Sequence, residues 1–254
     1  MRGSAFIVAF IWFATNAISV FAEELEPWQQ AQKTEVWEPV PARVSIDDHG
    51  IPSDAIVLFD GTDLSAWESV RDGSAAPWEI SGDMLVTASG TGDIRTRQSF
   101  CDVQLHIEWQ PPAESDMEGP EGQGRGNSGV FLQELYEVQV LDSYAGETYS
   151  NGQAASIYKQ HIPLVNATSP LDQWNTYDII FHAPEFNEAG DLTKAGTITV
   201  IHNGVLIQDH YELKGTTEYI GWPKNIPHGP GPLKLQDHGD NSGVSYRNIW
   251  IRPL

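Results

Sequence analysis

The segment Glu134-Leu135-Tyr136-Glu137-Val138-Gln139-Val140-Leu141-Asp142 gathers side chains suited to chemistry. Read as a strand, it puts Glu137 and Gln139 on one face, because successive side chains alternate. A bulge after Val140 would bring Asp142 onto that face as well. Carboxyl and amide groups on the concave face of a sheet suit sugar hydroxyls, and a carboxyl there can also move protons. By themselves the same groups fit a solvated, exposed strand equally well.

A second polar row lies in Pro232-Leu233-Lys234-Leu235-Gln236-Asp237-His238, where Lys234, Gln236 and His238 alternate with Leu233, Leu235 and Asp237. Such a row opposite an apolar one is unusual for a strand that is merely solvated. His238 could serve as a base or a ligand, whereas the same histidine without that row would read as an ordinary loop residue. In Ala155-Ser156-Ile157-Tyr158-Lys159-Gln160-His161, Tyr158 and His161 flank Lys159 and offer sugar stacking and proton transfer. Gly126-Asn127-Ser128-Gly129 reads either as a source of backbone donors for a ligand or as a tight strand entry, and Arg125 beside it as a ligand clamp. Asp60-Gly61-Thr62-Asp63 and the pair Asp237/Asp240 fit a calcium ion or plain turns.

Positioning these groups requires sheets, and the chain supplies them. From Ala55 onward it reads as short strands punctuated by Gly, Pro, Asn and Asp. Val103–Trp109 alternates apolar and polar residues, the pattern of a strand with one buried face. Thr197–His202, Asn203-Gly204 and Val205–Gln208 predict a hairpin, since Asn-Gly supplies the positive φ angles of a type I′ turn. Further strands are expected at 56–59, 78–80, 84–86, 128–132, 136–141, 174–181, 231–236 and 244–251, and together they point to an all-β sandwich or jelly roll. Pro111–Gly126 and Lys214–Pro230 look like loops at the mouth of a site. Residues 23–52, with no helical or period-2 pattern, suggest an extended arm; the sandwich domain is expected over 54–254.

Composition narrows the function. The 254 residues carry 14 Lys+Arg against 35 Asp+Glu, a formal net charge of −21, which opposes binding to nucleic-acid phosphates. Cys101 is the sole cysteine, so an intramolecular disulfide, a Cys-rich zinc site and a CxxC redox motif are all excluded. GxSxG, HExxH, GxGxxG and phosphate-loop motifs are absent. Residues 1–22 combine Arg2, an apolar run and Val20-Phe21-Ala22 before Glu23-Glu24, the pattern of a cleaved secretory signal. The protein is therefore expected in the periplasm or outside the cell, with no membrane span after cleavage.

Phe59-Asp60-Gly61-Thr62-Asp63-Leu64 with Trp67, Gly126-Asn127-Ser128-Gly129-Val130, Tyr136–Asp142, Trp174-Asn175-Thr176-Tyr177-Asp178 and Leu235-Gln236-Asp237-His238-Gly239 follow one another in that order, and Arg247–Pro253 continues the set. This series resembles the 3-keto-disaccharide hydrolase family, also described as 3-keto-glucoside 1,2-lyase/3-keto-2-hydroxy-glucal hydratase domains, over about residues 54–254. The resemblance implies a concanavalin A-like jelly-roll sandwich and cleavage of 3-keto glycosides by elimination and rehydration. It implies a carbohydrate substrate and a sugar 3-dehydrogenase as the source of the keto sugar. The site set it suggests has His161 or Asp142 as base and Glu137 and His238 in the leaving-group and water steps. Gln139 and Gln236 would orient the sugar, with Arg125, Asn127, Tyr158 and Lys234 completing the binding groups. A divalent ion held by some of the acids and histidines would be an alternative means of stabilising an enolate.

Lys159 departs from the small residue, often glycine, expected at its position. The same sandwich also carries laminarinase-type glycosidases with an acid-x-acid-x-x-acid strand, where this chain reads Glu137, Gln139, Asp142. The amide at Gln139 weakens an ordinary glycosidase reading, which remains an alternative beside a lectin-like binding module.

Overall fold

The computed structural model describes residues 25–113, 122–144, 146–171, 173–239 and 243–254. The expected signal segment, Asp240 and part of the Pro111–Gly126 loop lie outside the described residues. The chain divides into two units, Met1–Arg43 and Val44–Leu254. In the first, Pro27–Gln32 forms a short helix within the stretch expected to be extended. Pro27 opens it, and Glu26 and Gln29 cap it reciprocally. It buries no side chain, which is why no apolar period announces it.

The regular structure of the second unit is almost entirely strand. In chain order its strands are β1 (Ile56–Phe59), β2 (Trp67–Ser69), β3 (Glu79–Ser81), β4 (Met84–Val86), β5 (Ile94–Phe100), β6 (Val103–Gln110), β7 (Ser128–Leu132) and β8 (Tyr136–Val140). They continue with β9 (Asn175–His182), β10 (Glu185–Phe186), β11 (Leu192–Lys194), β12 (Thr197–His202), β13 (Val205–Glu212), β14 (Gly231–Leu235) and β15 (Ser245–Pro253). An eight-stranded sheet runs β13-β12-β9-β6-β15-β4-β3 with β1 added against β15, and a five-stranded sheet runs β2-β5-β14-β7-β8. All the pairings are antiparallel. This is the concanavalin A-like jelly-roll sandwich.

Alternation accounts for the packing. β6 is buried at every second residue, so Val103, Leu105, Ile107 and Trp109 enter the core. They join Tyr177, Ile179 and Phe181 of β9, Val130 of β7, Val138 of β8 and Leu233 and Leu235 of β14. Two hydroxyls tie the sheets through the core: Tyr177 donates to the Gln139 carbonyl at 2.8 Å and Tyr246 to Ser128 Oγ at 2.7 Å. The predicted hairpin is present, with Asn203 at φ 52° and Gly204 at φ 77° between β12 and β13. Asp60 and Asp63 accept hydrogen bonds from residues two positions on, so that acidic stretch forms side-chain-capped turns.

Candidate active site

β8 ends the five-stranded sheet, and its core face is Tyr136, Val138 and Val140. Alternation turns Glu137 and Gln139 to the opposite face, where Phe131 of β7 pairs with Glu137. This strand is not solvated: Glu137 is 5% exposed and Gln139 1%. Its free edge is covered by residues 155–158, with Ala155 N–H donating to the Gln139 carbonyl and Gln139 N–H to that of Ser156. Thr217 Oγ1 accepts the Glu137 N–H at 3.0 Å, and the Glu137 carbonyl accepts the Tyr158 N–H. Loops far apart in sequence thus close around one carboxyl.

The open pocket beside it measures about 600 Å³, a size suited to a small ligand. Of the residues picked out in the sequence, Glu137, His238, Asn127, Gln139, Tyr158 and Gln236 line it. Gly129 makes the room: a Cβ there would lie 2.7 Å from Glu137 Oε1 and 2.6 Å from the Phe131 ring. Asn127 is fixed by donating to the Gln123 carbonyl, and its Oδ1 accepts the Gln139 amide at 2.8 Å. Gln139 Nε2 also donates to the Val140 carbonyl, which leaves Oε1 as the amide's open acceptor. Gln236 is anchored through its backbone, donating to the Gly129 carbonyl and accepting from Ser128 Oγ at 2.6 Å.

Glu137 is the carboxyl the site perturbs most. Among the described residues no donor reaches its carboxyl, and burial pushes its pKa up to about 8, with Asp93 adding to the rise and Lys234 opposing it. The carboxyl is therefore mostly neutral at pH 7 and can donate a proton. Lys234 stands just outside the cavity lining. Its ammonium donates to Asp93 Oδ2 at 2.9 Å and lies 3.9 Å from the centre of the Phe131 ring. It acts on the site through the field it exerts on Glu137.

The structure separates three further expected residues from the cavity. β8 stops at Val140 without the expected bulge, and Asp142 is fully buried with Oδ2 accepting from Arg125 Nε at 2.8 Å. Asp142 and Arg125 thus pair with each other, as a buried carboxylate requires. His161 stacks on Tyr211 with centroids 4.1 Å apart, and its Nδ1 lies 2.6 Å from Gln208 Oε1. Lys159, at φ 57°, reverses the chain between Tyr158 and His161, so neighbours in sequence serve different surroundings.

Gln123, Tyr149, Thr217 and Tyr219 line the cavity without having been picked out. The Tyr149 and Tyr158 hydroxyls lie 2.7 Å apart, and burial raises both phenol pKa values, so both stay protonated donors. The Lys214–Pro230 loop, placed at a site mouth from sequence, does contribute Thr217 and Tyr219. Among the described residues no group of three His, Cys, Asp or Glu side chains is arranged to hold a metal ion. No helix among them is long and apolar enough to cross a membrane.

Fold, pocket and relatives together define a carbohydrate-active enzyme. Residues 54–252 match the model of the 3-keto-alpha-glucoside-1,2-lyase-like domain, and the chain belongs to that family. A crystal structure from Parabacteroides distasonis ATCC 8503, provisionally named a glycosyl hydrolase, is 52% identical and superposes with a TM-score of 0.83 over 88% of this chain and 96% of its own. A second structure from that organism, under the same provisional name, shares 20% identity and the fold, with a TM-score of 0.55 over 79% of this chain and 94% of its own. No curated protein matches the chain.

Proposed function

We propose that the protein cleaves 3-keto glycosides by elimination at C1–C2 followed by addition of water, with Glu137 as the acid that serves the leaving group. The observation that carries this reading is a buried carboxyl in the space left by Gly129, its pKa raised by burial, with neutral amides and phenols around it. A 3-keto group acidifies the C2 hydrogen, so the step needs a base, donors for the enolate oxygen and an acid for the departing oxygen.

His238 is the imidazole in the cavity lining and takes the C2 proton; His161 and Asp142 lie outside that lining. In the hydrogen-bonded pair Tyr149 and Tyr158 one hydroxyl donates to the other, and the pair supplies one neutral O–H donor to the enolate oxygen. As the C1–O bond breaks, Glu137 gives its proton to the leaving oxygen, and the enolate electrons form the C1–C2 double bond of a 2-hydroxy-glucal. Glu137, now ionised, takes a proton from water as that water adds to C1, and the protonated His238 returns a proton to C2. The sum is hydrolysis of the glycosidic bond. Gln139 Oε1, Asn127 and Gln236 hold the sugar hydroxyls, and no step requires a metal.

Two carboxylates flanking a bond, as ordinary retaining glycosidases use, find little support, because Asp142 is committed to Arg125 and lies outside the cavity lining. The same reading makes residues 1–22 an export signal and a sugar 3-dehydrogenase the source of the substrate. The test is release of reducing sugar from a 3-keto disaccharide and from its unoxidised parent. Release from the keto form alone, lost in Glu137→Gln, is expected; equal release from the parent would overturn the proposal.

A further inference from the structure

Beside the main pocket lies a second, shallower cleft of about 420 Å³, lined by Asn151, Tyr158, Lys159, Glu218, Trp222 and Pro223. Tyr158 and Lys159 line both cavities, so the two adjoin at these residues. We infer that this cleft is the leaving-group subsite and that it holds a second pyranose ring against Trp222. The inference rests on the keto-glycoside reading for what fills the first pocket.

The cleft's chemistry fits a sugar. Trp222 is 88% exposed, an indole that a solvated surface gains little from displaying. A pyranose presents a C–H face that packs on such a ring while its hydroxyls reach outward to polar groups. Those groups are at the rim. The Glu218 carboxylate is held in place by Lys224 at 3.3 Å and by the Thr216 hydroxyl at 3.0 Å. Asn151 brings an amide that can donate and accept.

Lys159 marks the junction. At φ 57° its backbone is in the left-handed region where glycine fits without a steric cost. The chain nevertheless carries a lysine there. Its ammonium donates to the Tyr219 carbonyl at 2.7 Å and lies 4.7 Å and 5.4 Å from the Tyr219 and Tyr158 ring centres. That places a donor where the two rings of a disaccharide would join, and it makes Lys159 a specificity-determining residue.

The test measures binding, so that it does not depend on turnover. In the Glu137→Gln background, affinities for a 3-keto disaccharide and for methyl 3-keto-glucoside are compared by calorimetry, with and without Trp222→Ala. The disaccharide should bind roughly five- to tenfold more tightly than the methyl glycoside, and Trp222→Ala should bring that ratio close to one. Lys159→Gly should lower the same ratio. A ratio unchanged by Trp222→Ala, or no binding of either sugar, would overturn the subsite. Loss of the ratio in a protein whose wild type releases no sugar would refute the reaction and leave the subsite standing.

Discussion

Gly129 sits diagonally from Glu137 across β7 and β8, and the side chain it lacks is the space the Glu137 carboxyl occupies, since a Cβ there would come within 2.7 Å of Oε1 and 3.1 Å of Cγ. Backbone conformation does not demand glycine here; the carboxyl does. The acid is therefore seated by a notch in its own sheet and not by a partner cation.

Gly129→Ala tests that notch. The added methyl must displace either the Phe131 ring or the Glu137 carboxyl, and overpacking of this kind costs about 1–3 kcal/mol. Urea unfolding should show that loss, and turnover of a keto disaccharide by the folded variant should fall at least roughly tenfold if the carboxyl moves by about an ångström. Full activity in a destabilised variant would mean that only Phe131 had shifted.

Glu137→Gln should stabilise the protein, increasingly as pH rises. The carboxyl has a folded pKa of about 8 against an ordinary value of 4.5, so the folded state holds the proton more tightly than the unfolded one. Between those values stability falls with pH, and above pH 8 the wild type carries the whole cost of an ionised buried carboxylate. The advantage of the glutamine variant should be small at pH 4.5 and reach on the order of 5 kcal/mol above pH 8 by urea titration. A difference independent of pH would show that Glu137 is not held protonated.

The same group sets an alkaline limit on the reaction. If neutral Glu137 serves the leaving group, kcat/KM should decline above about pH 8 as the free enzyme ionises. Initial rates across pH 5–10 check this. A plateau continuing to pH 10 would assign the acid to another residue.

Much of the framework was legible in the sequence because it rests on local rules. Asn203-Gly204 fixed a hairpin through two positive φ angles, and the alternation of β6 announced a strand with one buried face. β5 was missed because Arg95, Arg97, Gln98 and Ser99 interrupt any apolar pattern, while Ile94, Thr96 and Phe100 alone face inward. β2 and β11 are three residues each and, unlike the equally short Met84-Leu85-Val86 of β4, have no apolar run to announce them. Within the site, residues on β8 and after β14 were readable from alternation. Tyr149, Thr217 and Tyr219 were not, because only the folded loops bring them to Glu137. Asp142 was misplaced by assuming a bulge that the strand end replaces, and His161 by assuming that nearness to Tyr158 in sequence means a shared pocket.

His161→Asn distinguishes a structural histidine from a catalytic one. Removing the ring abolishes the stack on Tyr211 and disturbs the partner of the fully buried Gln208, which should cost about 1–3 kcal/mol. Turnover by the folded variant should stay within roughly threefold of wild type, whereas loss of a general base costs about 10²–10⁴-fold. A loss in that larger range would return His161 to the reaction.

Deuterium incorporation tests the account most directly. The protein is incubated in D₂O with a 3-keto disaccharide, and the released keto sugar is examined at C2 by NMR. Removal of the C2 hydrogen, departure of the leaving group and rehydration predict one deuterium at C2 in the product formed by wild type, with no product from Glu137→Gln. Sugar released with its original C2 hydrogen intact would contradict elimination and point to direct displacement at C1.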